Sequence, residues 1–177
     1  TSNSAPKDTI SGILAVYDLE GGDTVYVDTG LYTTPQDTLV IWSRSGDATN
    51  QLTIRGSTNF AAGGTIINRG SLLAGNDGFE VKASYVTLRD MTVRGAYQGV
   101  YVDSNISVRV ERMMLASNVY GVAITNASLP VVRNSGFLAN EFRGVSIGSS
   151  VTSTVENCTF YANKLDVVLH LTTSMAC

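Results

Sequence analysis

Four residues stand where proton chemistry could be done. Glu80 and Lys82 lie two residues apart, as do Tyr101 and Asp103, and the second pair follows the first by 21 residues. The positions between and before them are apolar: Phe79 and Val81 around Glu80, Val100 and Val102 around Tyr101. Alternation of this kind along a strand sends apolar side chains to one face and polar ones to the other. The four should therefore share the outer surface of neighbouring strands. An amine that takes a proton and a phenol that returns it form a general base and a general acid, so Lys82, Tyr101 and Asp103 are the candidate catalytic residues. The plainer expectation is a solvated sheet face, with Glu80–Lys82 and Lys82–Asp103 as charge pairs worth a fraction of a kcal/mol. An unperturbed lysine, with a pKa of about 10.4, is a poor base, and nothing in the sequence desolvates Lys82. The outward positions that follow, Ala123 and Thr125, Ser146 and Gly148, Val168 and His170, are small or apolar apart from one lone histidine.

The elements that must position these residues are repeats. The segments DGFEV, QGVYV, YGVAI, RGVSI and LDVVL carry Gly78, Gly99, Gly121, Gly144 and Asp166 at their second positions, spaced 21, 22, 23 and 22 residues apart. Three more columns keep the same beat: Leu88, Val110, Val132 and Val155; Val93, Leu115, Phe137 and Phe160; Asn118, Asn140 and Asn163. Each period holds two or three short alternating bursts parted by Gly, Asn and Ser, with no helix-length apolar pattern between them. That content describes a coil of parallel strands around an apolar interior.

With GDTVYVDTGLY (Gly22 to Tyr32) and the GVYV, GVAI and GVSI repeats in view, the chain resembles the right-handed parallel β-helix proteins of the pectate-lyase-like superfamily, over residues 9–171. The resemblance implies an all-β, single-stranded right-handed solenoid with rungs of roughly 22 residues, and substrate laid across the outer face of one sheet. A lyase of that superfamily would need a base against the proton α to a uronate carboxylate and a cation for the developing charge. Lys82 would be the base, Tyr101 the acid, and Arg94 or Arg55 the stabiliser. Glu80, Arg94, Tyr97 and Tyr120 are candidates for contacting substrate, the tyrosines as steps for sugar rings. The paired-aspartate motif of the hydrolases is missing, and Asp77, Asp90 and Asp103 are scattered one to a rung, where a calcium cluster would gather them. One histidine and two cysteines argue against zinc. No metal and no cofactor are expected.

Composition sets outer bounds. A length of 177 residues suits one domain with a sizeable core. A net charge of −3, from 12 basic and 15 acidic residues, gives no support for nucleic-acid binding through a basic surface. No apolar run reaches the roughly 18 residues of a membrane-spanning helix. Cys158 falls in an inward column with Met91, Met113 and Ser135 and reads as a small core residue; Cys177 is terminal.

Along the chain, Asp8 is placed to cap a helix beginning at Thr9, whose Ile10, Ile13, Leu14 and Tyr17 share a face that would cover the open first rung. Residues 8–20 thus form the cap, 24–75 irregular first rungs, and 76–171 regular rungs, all in a single domain over 1–177. Asn134 and Asn157 are expected at equivalent left-handed corners, and Asn118, Asn140 and Asn163 as a hydrogen-bonded ladder. The abrupt end after Leu169 suggests a fragment of a longer solenoid, its last rung covered by the rest of the parent chain or by another copy. The expected function is a non-catalytic extracellular or cell-surface module, a scaffold or a surface contacting polysaccharide. The alternatives are a polysaccharide lyase and a self-assembly module acting through open rung ends.

Overall fold

A strand of three to seven residues with one apolar face cannot bury that face alone, and here the strands turn it inward on a common coil whose interior is buried through its middle turns. The computed structural model describes residues 9–34, 39–41, 46–104, 106–148 and 151–169. Each coil contributes three strands. The first holds β1 (Thr24–Tyr26), β2 (Gly30–Thr33) and β3 (Leu39–Ile41); the second holds β4 (Leu52–Arg55), β5 (Thr65–Ser71) and β6 (Phe79–Val81). The third holds β7 (Val86–Arg89), β8 (Thr92–Ala96) and β9 (Gln98–Asp103); the fourth holds β10 (Arg109–Glu111), β11 (Met114–Ala116) and β12 (Tyr120–Thr125). The fifth holds β13 (Val131–Arg133), β14 (Gly136–Leu138) and β15 (Arg143–Ile147), and the sixth β16 (Thr154–Glu156), β17 (Thr159–Tyr161) and β18 (Leu165–Leu169).

First, second and third strands of successive coils pair in parallel to make three six-stranded sheets, A, B and C. The winding is right-handed, as parallel crossovers almost always are. Register is kept along the axis: Ile54, Leu88, Val110, Val132 and Val155 align in sheet A, and Val81, Val102, Ile124 and Ile147 in sheet C. These inward columns are buried through the middle coils, and Phe137 stacks on Phe160 with centroids 4.8 Å apart and planes 9° from parallel. Each fully buried Val, Leu, Ile or Phe contributes roughly 1.5–3 kcal/mol. Cys158 continues the column of buried Met91, Met113 and Ser135, half-buried because it lies in the last coil, and burial raises its thiol pKa.

Corners make the coil possible. Between sheets A and B the chain turns on one residue in the left-handed region: Asp90 (φ 60°), Arg112 (46°), Asn134 (52°) and Asn157 (50°). Asparagine tolerates that conformation best, as the repeat columns suggest. Between sheets B and C the expected ladder is present. Asn140 Oδ1 accepts from the backbone N–H and Nδ2 of Asn118, while its own Nδ2 donates to Leu115 O and to Asn163 Oδ1. At the second position of the sheet C strands in the inner coils, Gly99, Gly121 and Gly144 leave no room for a Cβ. A Cβ on Gly121 would lie 2.5 Å from Gly144 O and 2.6 Å from the Phe137 ring.

The terminal helix, α1 (Ile10–Val16), packs against β3 with Ile10 in the core. Its cap is Thr9, whose Oγ1 accepts from Gly12 N at 3.1 Å. Helix and cap thus fall one residue later than the sequence suggests, and the helix ends at Val16, not near residue 20, because Tyr17 turns to extended backbone. Asp8, His170 and the stretch 170–177, with Cys177, lie outside the described residues. Among the described residues no helix is long and apolar enough to cross a membrane.

Candidate functional site

The outer face of sheet C brings the sequence-predicted cluster together. Phe79, Val81, Val100, Val102, Val122, Ile124, Val145 and Ile147 all point inward and are buried, so Glu80, Tyr101, Ala123 and Ser146 line up outward in register. Asp103 and Thr125 form the next outward column. Lys82 leaves the end of β6, and its Nζ sits 2.7 Å from Glu80 Oε1. That hydrogen bond outweighs the opposing desolvation and, with the charges of Glu80, Asp103 and Tyr101 nearby, raises the lysine pKa. The amine is therefore held more firmly protonated than a free lysine, the reverse of what a general base needs.

Tyr101 and Asp103 meet through an uncharged residue that the pattern of ionisable groups does not single out. Thr125 Oγ1 lies 3.0 Å from Asp103 Oδ1 and 3.1 Å from the Tyr101 hydroxyl. A hydroxyl has one proton to give; with the carboxylate as its acceptor, Tyr101 becomes the donor in the second bond. Asp103 Oδ1 also accepts from Ser104 Oγ at 3.0 Å and Asn126 Nδ2 at 3.2 Å. The result is a short polar chain running Tyr101 to Thr125 to Asp103. Beyond it the outer positions Ala123 and Ser146 are buried, the latter accepting from Arg143 Nη1 at 3.0 Å.

Tyr97, just before β9, and Tyr120, the first residue of β12, belong to an aromatic corner at the start of the sheet C strands. Tyr97 meets Tyr120 edge-to-face at 5.4 Å, and Tyr120 meets Phe142 at 5.5 Å. Arg143 lies 4.6 Å from the Phe142 centroid and 5.7 Å from that of Tyr120, and Lys164 approaches Phe142 at 5.4 Å. Phe142, Arg143 and Lys164 escape a reading of strand faces because they sit in turns or at a strand's first residue.

The arginines do not join this face. Arg94 projects from β8 in sheet B and is exposed; Arg55 projects from β4 in sheet A and pairs with Asp90. A coil of three sheets separates positions that the repeat keeps only a few residues apart. Asp77, at the corner leading into β6, is buried, accepts from Gln98 N at 3.1 Å, and has its pKa pushed up to about 6, chiefly by desolvation and further by Glu80. Among the described residues no three His, Cys, Asp or Glu side chains gather as metal ligands would.

The family profile described as right handed beta helix region matches residues 37–176. The chain belongs to the right-handed β-helix family. No curated protein matches this β-helix in sequence. Of solved structures, 92% of the β-helix chain superposes on 43% of the crystal structure of pectate lyase Pel9A, with 20% identity and a TM-score of 0.67. A rhamnogalacturonan lyase is matched over 99% of this chain and 60% of its own, with 13% identity and a TM-score of 0.56. At those identities the likeness is one of fold. The chain spans less than two thirds of the length of either structure.

Proposed function

We propose that this β-helix is a non-catalytic module of an extracellular or cell-surface protein and contacts polysaccharide through the outer face of sheet C. The observation that carries the reading is the state of Lys82, whose amine is bound to Glu80 and held charged. The neighbouring phenol and carboxylate are joined through Thr125, and Arg94 and Arg55 project from other sheets. What remains is a surface of fixed donors and acceptors, flanked by aromatic rings and the cations Arg143 and Lys164. Hydroxyl-rich chains are recognised by such a mixture of apolar ring and polar edge. Two proteins of like fold are named as lyases of pectate and of rhamnogalacturonan, which favours an acidic or partly acidic glycan.

The test is a panel of plant and bacterial polysaccharides, read for binding and for release of unsaturated uronate by ultraviolet absorbance. Binding without turnover is expected, and removing a cation with Arg143→Gln should weaken it by ~3- to 10-fold. Turnover that vanishes in Lys82→Ala would replace this reading with that of a lyase. Absence of both binding and turnover would leave sheet C a scaffold.

A further inference from the structure

A second charged surface lies on the outer face of sheet A. Tyr26, Arg55, Arg89, Glu111, Arg133 and Glu156 occupy one register column along the axis. From Glu111 onward the signs alternate, and Arg133 pairs with Glu111. At Arg55 and Arg89 they do not. Two like charges stand on adjacent rungs, about 4.8 Å apart, an arrangement that is unfavourable by itself.

Asp90, 1% exposed, holds them there. Its Oδ2 lies 3.2 Å from Arg55 Nε and 2.9 Å from Arg89 Nε, while Arg112 bonds side-on, Nε to Oδ1 at 2.7 Å and Nη2 to Oδ2 at 3.0 Å. Three of these contacts are hydrogen bonds and the Arg55 contact is an ion pair, so most of the roughly four acceptor positions of the carboxylate are taken. Glu111 also lies 4.0 Å from Arg112 and pairs with Arg133, so four guanidinium groups stand against two carboxylates and leave an excess of positive charge in a chain that is negative as a whole.

Arg55 and Arg89 spend only Nε on Asp90. Among the described residues their terminal nitrogens make no hydrogen bond, and the two forks stand side by side with 36% and 28% of the side chains exposed. A planar carboxylate matches one fork. A tetrahedral head with three terminal oxygens can accept from two forks on neighbouring rungs. On the rung before Arg55, Tyr26 is 71% exposed and offers a ring face. A nucleic acid would call for a longer cationic track, on the order of 6–10 phosphate contacts, and beyond Glu111 the column neutralises itself. We infer that the Tyr26–Arg55–Arg89 face of sheet A is a binding site for a sulfate half-ester carried on a polysaccharide, with Asp90 positioning the two arginines.

The test is binding of the purified chain to immobilised dextran sulfate, neutral dextran, polygalacturonate and single-stranded DNA at low and high salt. Preferential, salt-sensitive binding to dextran sulfate is expected, weakened ~10-fold or more in Arg55→Gln/Arg89→Gln and less in Tyr26→Ala. Arg94→Gln, which removes an exposed cation of sheet B outside both faces, should leave it unchanged, and the Arg55/Arg89 change should leave polygalacturonate binding unchanged, which separates this site from the proposed glycan face. Thermal melts confirm that each variant is folded; if the double variant is not, Arg55→Gln alone, where Asp90 keeps two partners, serves in its place. No binding to dextran sulfate, an equal loss of polygalacturonate or DNA binding in the Arg55/Arg89 variant, or indifference of dextran sulfate binding to the arginine changes overturns the assignment.

Discussion

Lys82 and Asp77 show how two ionisable groups on one corner are driven in the same direction, toward holding a proton, by different causes. Glu80 stabilises the charged lysine, whereas burial destabilises the charged aspartate. For Asp77 the sign is unusual. Its folded pKa of about 6 lies above the roughly 3.9 of an unfolded aspartate, so the native chain binds the proton more tightly between those values. Stability from this group is greatest below about pH 4, declines as pH rises to about 6, and is flat above. Asp77→Asn keeps an acceptor for Gln98 N and removes the titration. The variant should match or exceed the parent in stability at pH 7, by on the order of 1–2 kcal/mol, and should lose the parent's decline between pH 4 and 6.5. Melts across that range decide it; an unchanged pH slope would show that Asp77 is ionised in the native chain throughout.

At the level of elements, the asparagine ladder ties each coil to the next by side chains as well as by sheet hydrogen bonds. Asn140, fully buried, both donates and accepts within it, whereas Asn163 is half-exposed at its end. Asn140→Ala would leave Asn118 N and Leu115 O buried with lost partners, at a cost of ~2–4 kcal/mol, against about 1 kcal/mol for Asn163→Ala. Urea midpoints of the two variants measure the difference. This ladder is legible in the amino-acid sequence, because its members keep one period and one residue type. So are the inward columns and the meeting of Glu80, Lys82, Tyr101 and Asp103, which follow from period-2 alternation alone. What alternation leaves open is position around the coil. Arg94 lies only a few residues from Tyr97 and Tyr101 in sequence, yet the corner between sheets B and C turns it onto another face. Thr125 is legible as an outward position but not as the link between Tyr101 and Asp103, because a neutral hydroxyl carries no charge to mark it. The Asp90 cluster is hidden for another reason: the early loops set Arg55 and Arg89 34 positions apart, so the regular beat does not register them as neighbours.

For the whole molecule, the strands of each coil pair only with those of the coils before and after it, so cooperativity is a nearest-neighbour property. Strands β1 to β3 and β16 to β18 each pair on one side only. The inward Val155 and Phe160 of the last described coil are only partly buried, while their counterparts Val132 and Phe137 are buried. Amide exchange should therefore be slowest from β7 through β12 and quicken toward both ends, more steeply at the β16–β18 side because α1 covers the first coil. Hydrogen exchange read by mass spectrometry tests this; uniform protection along the chain would show that the coils open as one unit.

The step from one coil to the next is a single strand spacing, and this has a geometric consequence. Some 22 residues advance the molecule by about 4.8 Å, where the same chain would extend roughly 33 Å as a helix and roughly 70 Å as one strand. The fold trades reach for breadth. Distance along the axis is counted in whole periods, so a point substitution cannot change the spacing between rungs. Duplicating or deleting one period can, lengthening or shortening every outer column by one place while leaving the remaining contacts in step. Length in this molecule is an integer.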